Sequence, residues 1–122
     1  MAFIPAAFTS SCTEEMCTFR DSIHRFNTFD AQVYGVSVDL PPAQNVFIMQ
    51  EGLTFPMLSD WVHEVIHDYG VVVPEMYGQF EVAKRGIFVL DEEGTITYRR
   101  VEHEGAIDFG AVIDTVAEAS AA

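Results

Sequence analysis

The run Gly86-Ile87-Phe88-Val89-Leu90 carries no polar side chain, and no other stretch constrains the fold as tightly. A strand that is apolar at every position buries both faces, so its sheet must be covered above and below. Lys84 and Arg85 precede the run and Asp91-Glu92-Glu93-Gly94 follows it. The acidic segment predicts a turn, and residues Thr95 to Val101 predict a second strand pairing back as a hairpin.

The rest of the chain supplies the covering layers. Ala2-Phe3-Ile4 reads as the end of a buried strand stopped by Pro5. Met16, Phe19, Ile23 and Phe26 recur at spacings of three and four, predicting a helix over 13–29 with Glu14 and Glu15 in its first turn. Residues 32–38, rich in β-branched side chains, predict a strand. Leu40-Pro41-Pro42 turns the chain into a short helix over 43–51, ended by Gly52. Ser59 or Asp60 caps a further helix reaching about Tyr69, with Gly70 at its end and Trp61, Val62, Val65 and Ile66 facing the core. Ile107, Val112, Ile113 and Val116 mark a closing amphipathic helix, and Phe19, Phe26, Phe29 and Trp61 read as core or interface residues. With no repeat or linker, the order is βαβ, a helical connection, a hairpin and a final helix. The expectation is one α/β domain over 1–122, a thioredoxin-like sandwich with a mixed sheet and flanking helices.

Charge narrows the function. Asp and Glu number 19 against 6 Lys and Arg, a formal net of -13. Nucleic acid and anionic membranes need clustered basic side chains, so neither is an expected partner. No apolar run approaches the roughly 18 residues of a membrane span. The N-terminal stretch lacks the basic region of a secretion signal, and a cytoplasmic protein is expected. The acids are spread along the whole chain, which reads either as adaptation to high salt, where repulsion is screened, or simply as an acidic soluble protein.

Two cysteines five residues apart, Cys12 and Cys17, suggest chemistry rather than a disulfide scaffold. Cys12 falls at the start of a predicted helix, after a strand and a loop. There it meets unpaired backbone N–H groups and the positive end of the helix dipole, both of which favour thiolate over thiol. Thr9, three residues earlier, places a hydroxyl within reach of the sulfur and of an incoming oxygen. The competing reading is a buried cysteine acting as a small hydrophobe, and helix position alone leaves the two open.

Pro5-x-x-x-Thr9-x-x-Cys12 resembles the peroxiredoxin active-site motif. The similarity continues through Cys12-Thr-Glu-Glu15-Met-Cys17-Thr-Phe19-Arg20-Asp21, as in the bacterioferritin-comigratory or PrxQ branch. It extends to the strand ending at Asp39, to Phe55-Pro56-Met57-Leu58-Ser59-Asp60 and to Lys84-Arg85-Gly86-Ile87-Phe88-Val89-Leu90-Asp91. The one-cysteine AhpE-like branch is similarly close in the last two segments. The resemblance implies thiol-dependent reduction of hydrogen peroxide or organic hydroperoxides, with no cofactor and no metal. Cys12 would be the peroxidatic cysteine, with Pro5 shielding it from water. Thr9 and Arg85 would bind the peroxide, and Glu15 would orient the arginine. Cys12 would become a sulfenic acid, and Cys17 would then close a disulfide, as in PrxQ-type members, with a thioredoxin- or glutaredoxin-like protein as reductant. In a regular helix, Cα atoms five residues apart are roughly 8.6 Å apart, beyond the ~7 Å limit of a disulfide. The first turn would therefore unwind in each cycle. Cys17 as a core thiol, with an external thiol resolving Cys12, is the alternative; a peroxide-sensing switch without turnover is another.

His63-Glu64-Val65-Ile66-His67 matches the HExxH pattern of zinc hydrolases. The third ligand such zinc requires has only His103 or an acid such as Glu81 as a candidate, and exposed histidines among acids are the plainer reading. His24 and His103 are likewise expected on the surface. Peroxiredoxins normally carry a few dozen more residues here, including most of the opening strand, so the resemblance implies an N-terminally truncated domain: a fragment, a misassigned start or a domain completed by a partner. A form with a stub strand is expected to be poorly stable alone or to form a homodimer through the uncovered sheet edge.

Overall fold

The computed structural model describes residues 1–28, 31–76, 78–102 and 111–116. A five-stranded sheet has the order β3-β2-β1-β6-β7, from β1 (Ala2–Phe3), β2 (Gly35–Ser37), β3 (Met57–Ser59), β6 (Arg85–Leu90) and β7 (Ile96–Glu102). β1, β2 and β3 run parallel, whereas β6 is antiparallel to both β1 and β7. A separate two-stranded hairpin joins β4 (Val72–Met76) to β5 (Gln79–Ala83). The helices are α1 (Ser10–Asp21), α2 (Ile23–Thr28), α3 (Pro41–Glu51) and α4 (Glu64–Asp68), with a further helical stretch over 111–116. Among the described residues no helix is long and apolar enough to cross a membrane.

The sheet is covered on both faces, as the apolar run requires. Phe3 and Phe88 enter a cluster with Val36, Val38, Ile66, Val71 and Val82. Their neighbours Ala2, Ile4 and Ile87 join Met16, Phe19, Phe47 and Val112 on the other side. The strand period of two thus sends adjacent residues into opposite cores. The run Gly86–Leu90 lies inside the sheet, paired on both sides, but two-residue β1 occupies the centre.

Several predicted boundaries move. The helix over 13–29 begins at Ser10 and breaks at Ser22, whose N–H donates to the carbonyls of Thr18 and Phe19. Glu14 and Glu15 are therefore not in the first turn, and Phe29 lies outside the described residues. The break turns α2 so that Phe26 packs on Phe19, ring centroids 5.6 Å apart. The strand over 32–38 is limited to Gly35–Ser37, and the helix over 43–51 starts earlier, with Pro41 and Pro42 in its first turn and Gly52 left-handed at its end. The helix expected from 59 or 60 to about 69 is only Glu64–Asp68, because Ser59 pairs in β3. Asp60 still caps it: its carboxylate accepts the N–H groups of Val65 and Ile66 at 3.1 and 2.9 Å. Trp61 and Val62, assigned to the core above, are 56% and 51% exposed because they precede the helix, in a turn. Ile107 and His103 lie outside the described residues, whereas Val112, Ile113 and Val116 are buried.

Candidate active site

The site forms where strand ends of opposite direction meet. β1 ends at Phe3 opposite Gly86, so the antiparallel pairing brings the start of β6, at Arg85, beside the loop that leaves β1. That loop, residues 4–9, passes through buried Pro5 and through Phe8, whose φ is +67°. This left-handed backbone is uncommon for a bulky residue, and the Phe8 ring packs edge-on against Phe47 of α3 at 5.2 Å. The Ala7 N–H donates to Asp39 Oδ2 at 2.8 Å, and the Ser37 hydroxyl donates to the same oxygen at 2.7 Å. Gln44 Nε2 in turn donates to Ser37 Oγ at 2.9 Å and to the Leu58 carbonyl at 3.0 Å. Asp39 thereby ties the loop to the end of β2. Sequence reasoning assigned it no role. The available signal was its place at the carboxyl end of a parallel strand, where sites of open α/β sheets collect.

Thr9 is the N-cap residue of α1, in extended conformation. Its hydroxyl donates to the Ala6 carbonyl at 2.9 Å, and its oxygen accepts no N–H of the helix. Having spent its proton there, the oxygen can only accept from another partner. Cys12 is the third residue of α1 and 1% exposed, within the core cluster beneath the helix. Gly35 makes that close packing possible, since a Cβ there would lie 3.1 Å from Met57 Cγ and 3.2 Å from Met16 Sδ.

Arg85 Nη2 approaches Cys12 Sγ at 3.6 Å, and Arg85 Nη1 donates to Glu15 Oε2 at 3.4 Å. The Arg85 and Glu15 side chains are only 12% and 4% exposed. A guanidinium is always charged and favours a neighbouring anion. Cys12 thus lies in an apolar cluster with one part-buried guanidinium beside it. Burial pushes the Glu15 carboxyl up to about 8, against the charge and the hydrogen bond of Arg85, which pull it down. Its Oε1 is buried without a partner. Near neutral pH the carboxyl is thus largely protonated and serves the guanidinium as a neutral acceptor.

Cys17 stands apart from this group. Both cysteines lie within α1 and both are free. Cys17 Sγ donates to Glu51 Oε2 at 3.6 Å, at the end of α3. Burial pushes the Cys17 thiol up; the Arg20 charge lowers it, and the Glu51 hydrogen bond raises it further. Of the six residues singled out from sequence, Arg85 contacts both Cys12 and Glu15, Thr9 and Pro5 lie in the loop leading into α1, and Cys17 faces α3.

Both HExxH histidines approach Glu81. His67 Nε2 is 2.9 Å from Glu81 Oε2, and His63 Nδ1 is 3.8 Å from Glu81 Oε1. Among the described residues, no group of three or more His, Cys, Asp or Glu side chains is arranged to hold a metal ion.

Comparison with known proteins decides the lineage. The profile of the AhpC/TSA family matches residues 1–99. The chain belongs to the AhpC/TSA family. Alkyl hydroperoxide reductase E of Mycobacterium tuberculosis is 34% identical over 108 residues, covering 88% of this chain and 69% of that protein. The chloroplastic peroxiredoxin Q of Gentiana triflora is 34% identical over 94 residues, covering 77% of this chain and 42% of that protein. Among solved structures, Xanthomonas campestris peroxiredoxin Q superposes with a TM-score of 0.87 at 26% identity, covering 98% of this chain and 77% of that one. Membership of the AhpC/TSA family, with these peroxiredoxin relatives, makes the fold thioredoxin-like and the chemistry thiol-dependent peroxide reduction.

Proposed function

We propose that Cys12 is the peroxidatic cysteine and that the chain reduces hydrogen peroxide or organic hydroperoxides through it. The observation carrying this reading is the buried Arg85 guanidinium set between Cys12 Sγ and Glu15. The Cys12 thiolate attacks the terminal peroxide oxygen. The O–O bond breaks, and water or an alcohol leaves once a proton is supplied. Sulfur is oxidised to sulfenic acid as the peroxide is reduced. Arg85 holds the peroxide and offsets charge on the departing oxygen. Thr9 accepts the peroxide O–H, Glu15 orients the arginine, and Pro5 keeps water from the sulfur.

Cys17 then attacks the sulfenic acid, closing a Cys12–Cys17 disulfide and releasing water. A thioredoxin- or glutaredoxin-like dithiol restores both thiols. With both cysteines in one helix, the turn bearing Cys12 unwinds before the bond forms. The acid excess fits a cytoplasm of high salt, and an open sheet edge fits a homodimer, which sedimentation would detect. The deciding experiment adds hydrogen peroxide and a dithiol reductant to the wild type, Cys12→Ser and Cys17→Ser. Repeated turnover in the wild type and none in Cys12→Ser is expected. Consumption of one equivalent and no more would identify a redox switch, and peroxide loss without Cys12 would refute the assignment.

A further inference from the structure

We infer that Glu51 is the proton carrier of the resolving step, taking the proton of Cys17 as its sulfur attacks and passing it to the departing hydroxide. This rests on the resolving role proposed above for Cys17.

The geometry is specific. Cys17 Sγ donates to Glu51 Oε2 at 3.6 Å across 34 residues of sequence. The same junction is clamped by Arg20, one turn further along α1, whose Nη1 donates to the Glu51 backbone carbonyl. α3 ends at Glu51, with Gly52 in a left-handed C-cap whose N–H returns to the Ile48 carbonyl. Cys12 lies in the first turn of α1, and Cys17 and Arg20 lie beyond it. Unwinding that first turn brings Cys12 toward Cys17 while the clamp keeps Glu51 beside the attacking sulfur.

The chemistry needs such a group. The charged groups facing Cys17 are Arg20, Asp21 and Glu51, and the net effect of burial and these neighbours is a thiol held protonated. A protonated thiol is a poor nucleophile, and hydroxide is a poor leaving group. One carboxylate answers both. As the S–S bond forms, the S–H proton moves to Glu51 Oε2; as the S–O bond of the sulfenic acid breaks, the proton moves on to the leaving oxygen. Cys12–SOH and Cys17–SH become the disulfide and one water, and Glu51 ends ionised as it began. No outside oxidant or reductant enters.

The test follows disulfide formation after one equivalent of hydrogen peroxide, by acid quench and mass spectrometry, in the wild type, Glu51→Gln and Glu51→Asp from pH 6 to pH 10. Glutamine keeps the backbone carbonyl that Arg20 uses, so the clamp stays. Glu51→Gln should form the disulfide at least tenfold, on the order of a hundredfold, more slowly at pH 7. Its sulfenic acid should then be trapped by dimedone. The deficit should shrink toward pH 10, where the thiolate forms unaided, and Glu51→Asp should recover part of the rate. A Glu51→Gln rate equal to or above wild type at pH 7 would overturn the inference, leaving the carboxylate as a group that merely keeps the thiol protonated. A wild type that accumulates sulfenic acid and never forms the disulfide would overturn the resolving role of Cys17, and the Glu51 inference with it.

Discussion

Arg85 and Cys12 are 73 residues apart in the chain and 3.6 Å apart in space, guanidinium to sulfur. The same guanidinium reaches Glu15 through its other terminal nitrogen. Arg85→Ala should lower the second-order rate of Cys12 oxidation by about 10²–10³, the usual cost of removing one donor to developing charge. Arg85→Lys keeps the charge but loses the fork that serves both partners, and should lie between. Stopped-flow oxidation by hydrogen peroxide measures both, and a wild-type rate in Arg85→Ala would remove the arginine from the mechanism.

The two cysteines should separate cleanly. Cys17→Ser should still consume one equivalent of peroxide and accumulate a species ~16 Da heavier, one oxygen having been added at Cys12 as the sulfenic acid. Cys12→Ser should give no oxidised product at dilute peroxide. Intact-protein mass spectrometry after a brief pulse distinguishes them.

Glu15 gives the fold a pH dependence. Its carboxyl, ordinarily near 4.5, is raised to about 8 by burial. Between those values the folded chain holds a proton that the unfolded chain has released, so stability falls as pH rises through this window. The contribution is whole below 4.5 and gone above about 8. Glu15→Gln keeps an acceptor for Arg85 and cannot ionise. Thermal melts of this variant should match wild type near pH 5 and exceed it near pH 9, and parallel curves across the window would contradict the assignment.

Asp39 anchors the loop that leads to Cys12. Asp39→Ala strips the Ala7 N–H of its acceptor, at a cost of about 1–3 kcal/mol for a bond to a charged group. It should also slow Cys12 oxidation, because the loop carries Thr9. Denaturant unfolding and peroxide kinetics on the same variant measure the two effects.

A net charge of -13 leaves a self-repulsion that salt can screen. From 0.1 to 1 M KCl the Debye length falls from about 10 Å to 3 Å, and the melting temperature should rise by several degrees. A flat response would argue that the acids have no role in salt adaptation.

How far the sequence could be read depends on where the information lay. Strand β6 was legible because Gly86 to Leu90 is apolar throughout, and α1 because Met16 and Phe19 keep helical spacing. The hairpin of β4 and β5 was not recognised, although Val71, Val82 and Ala83 are buried. Pro74, Glu75 and Glu81 interrupt its pattern, and Glu81 itself has a left-handed backbone. The helix around His63 was drawn too long because Asp60, a good capping residue, caps from a distance across a turn. At the site, Cys12, Thr9 and Glu15 share one local segment and could be read together. Arg85 could be picked out only through the resemblance of the Lys84–Asp91 segment, because strand pairing brings it to Cys12, and Asp39 was left without a role because it acts through the loop it anchors. The HExxH spacing was genuine as a pattern, but its two rings converge on Glu81.

The pairing of β1 with β6 also sets an order of events during synthesis. Ala2 and Phe3 cannot complete the sheet until Gly86 and Ile87 have left the ribosome, so closure of the sheet waits on a strand far along the chain. Through that interval Cys12 has neither Arg85 beside it nor the finished core around it. The contact between guanidinium and sulfur is thereby withheld from the nascent polypeptide and made only when the far strand docks.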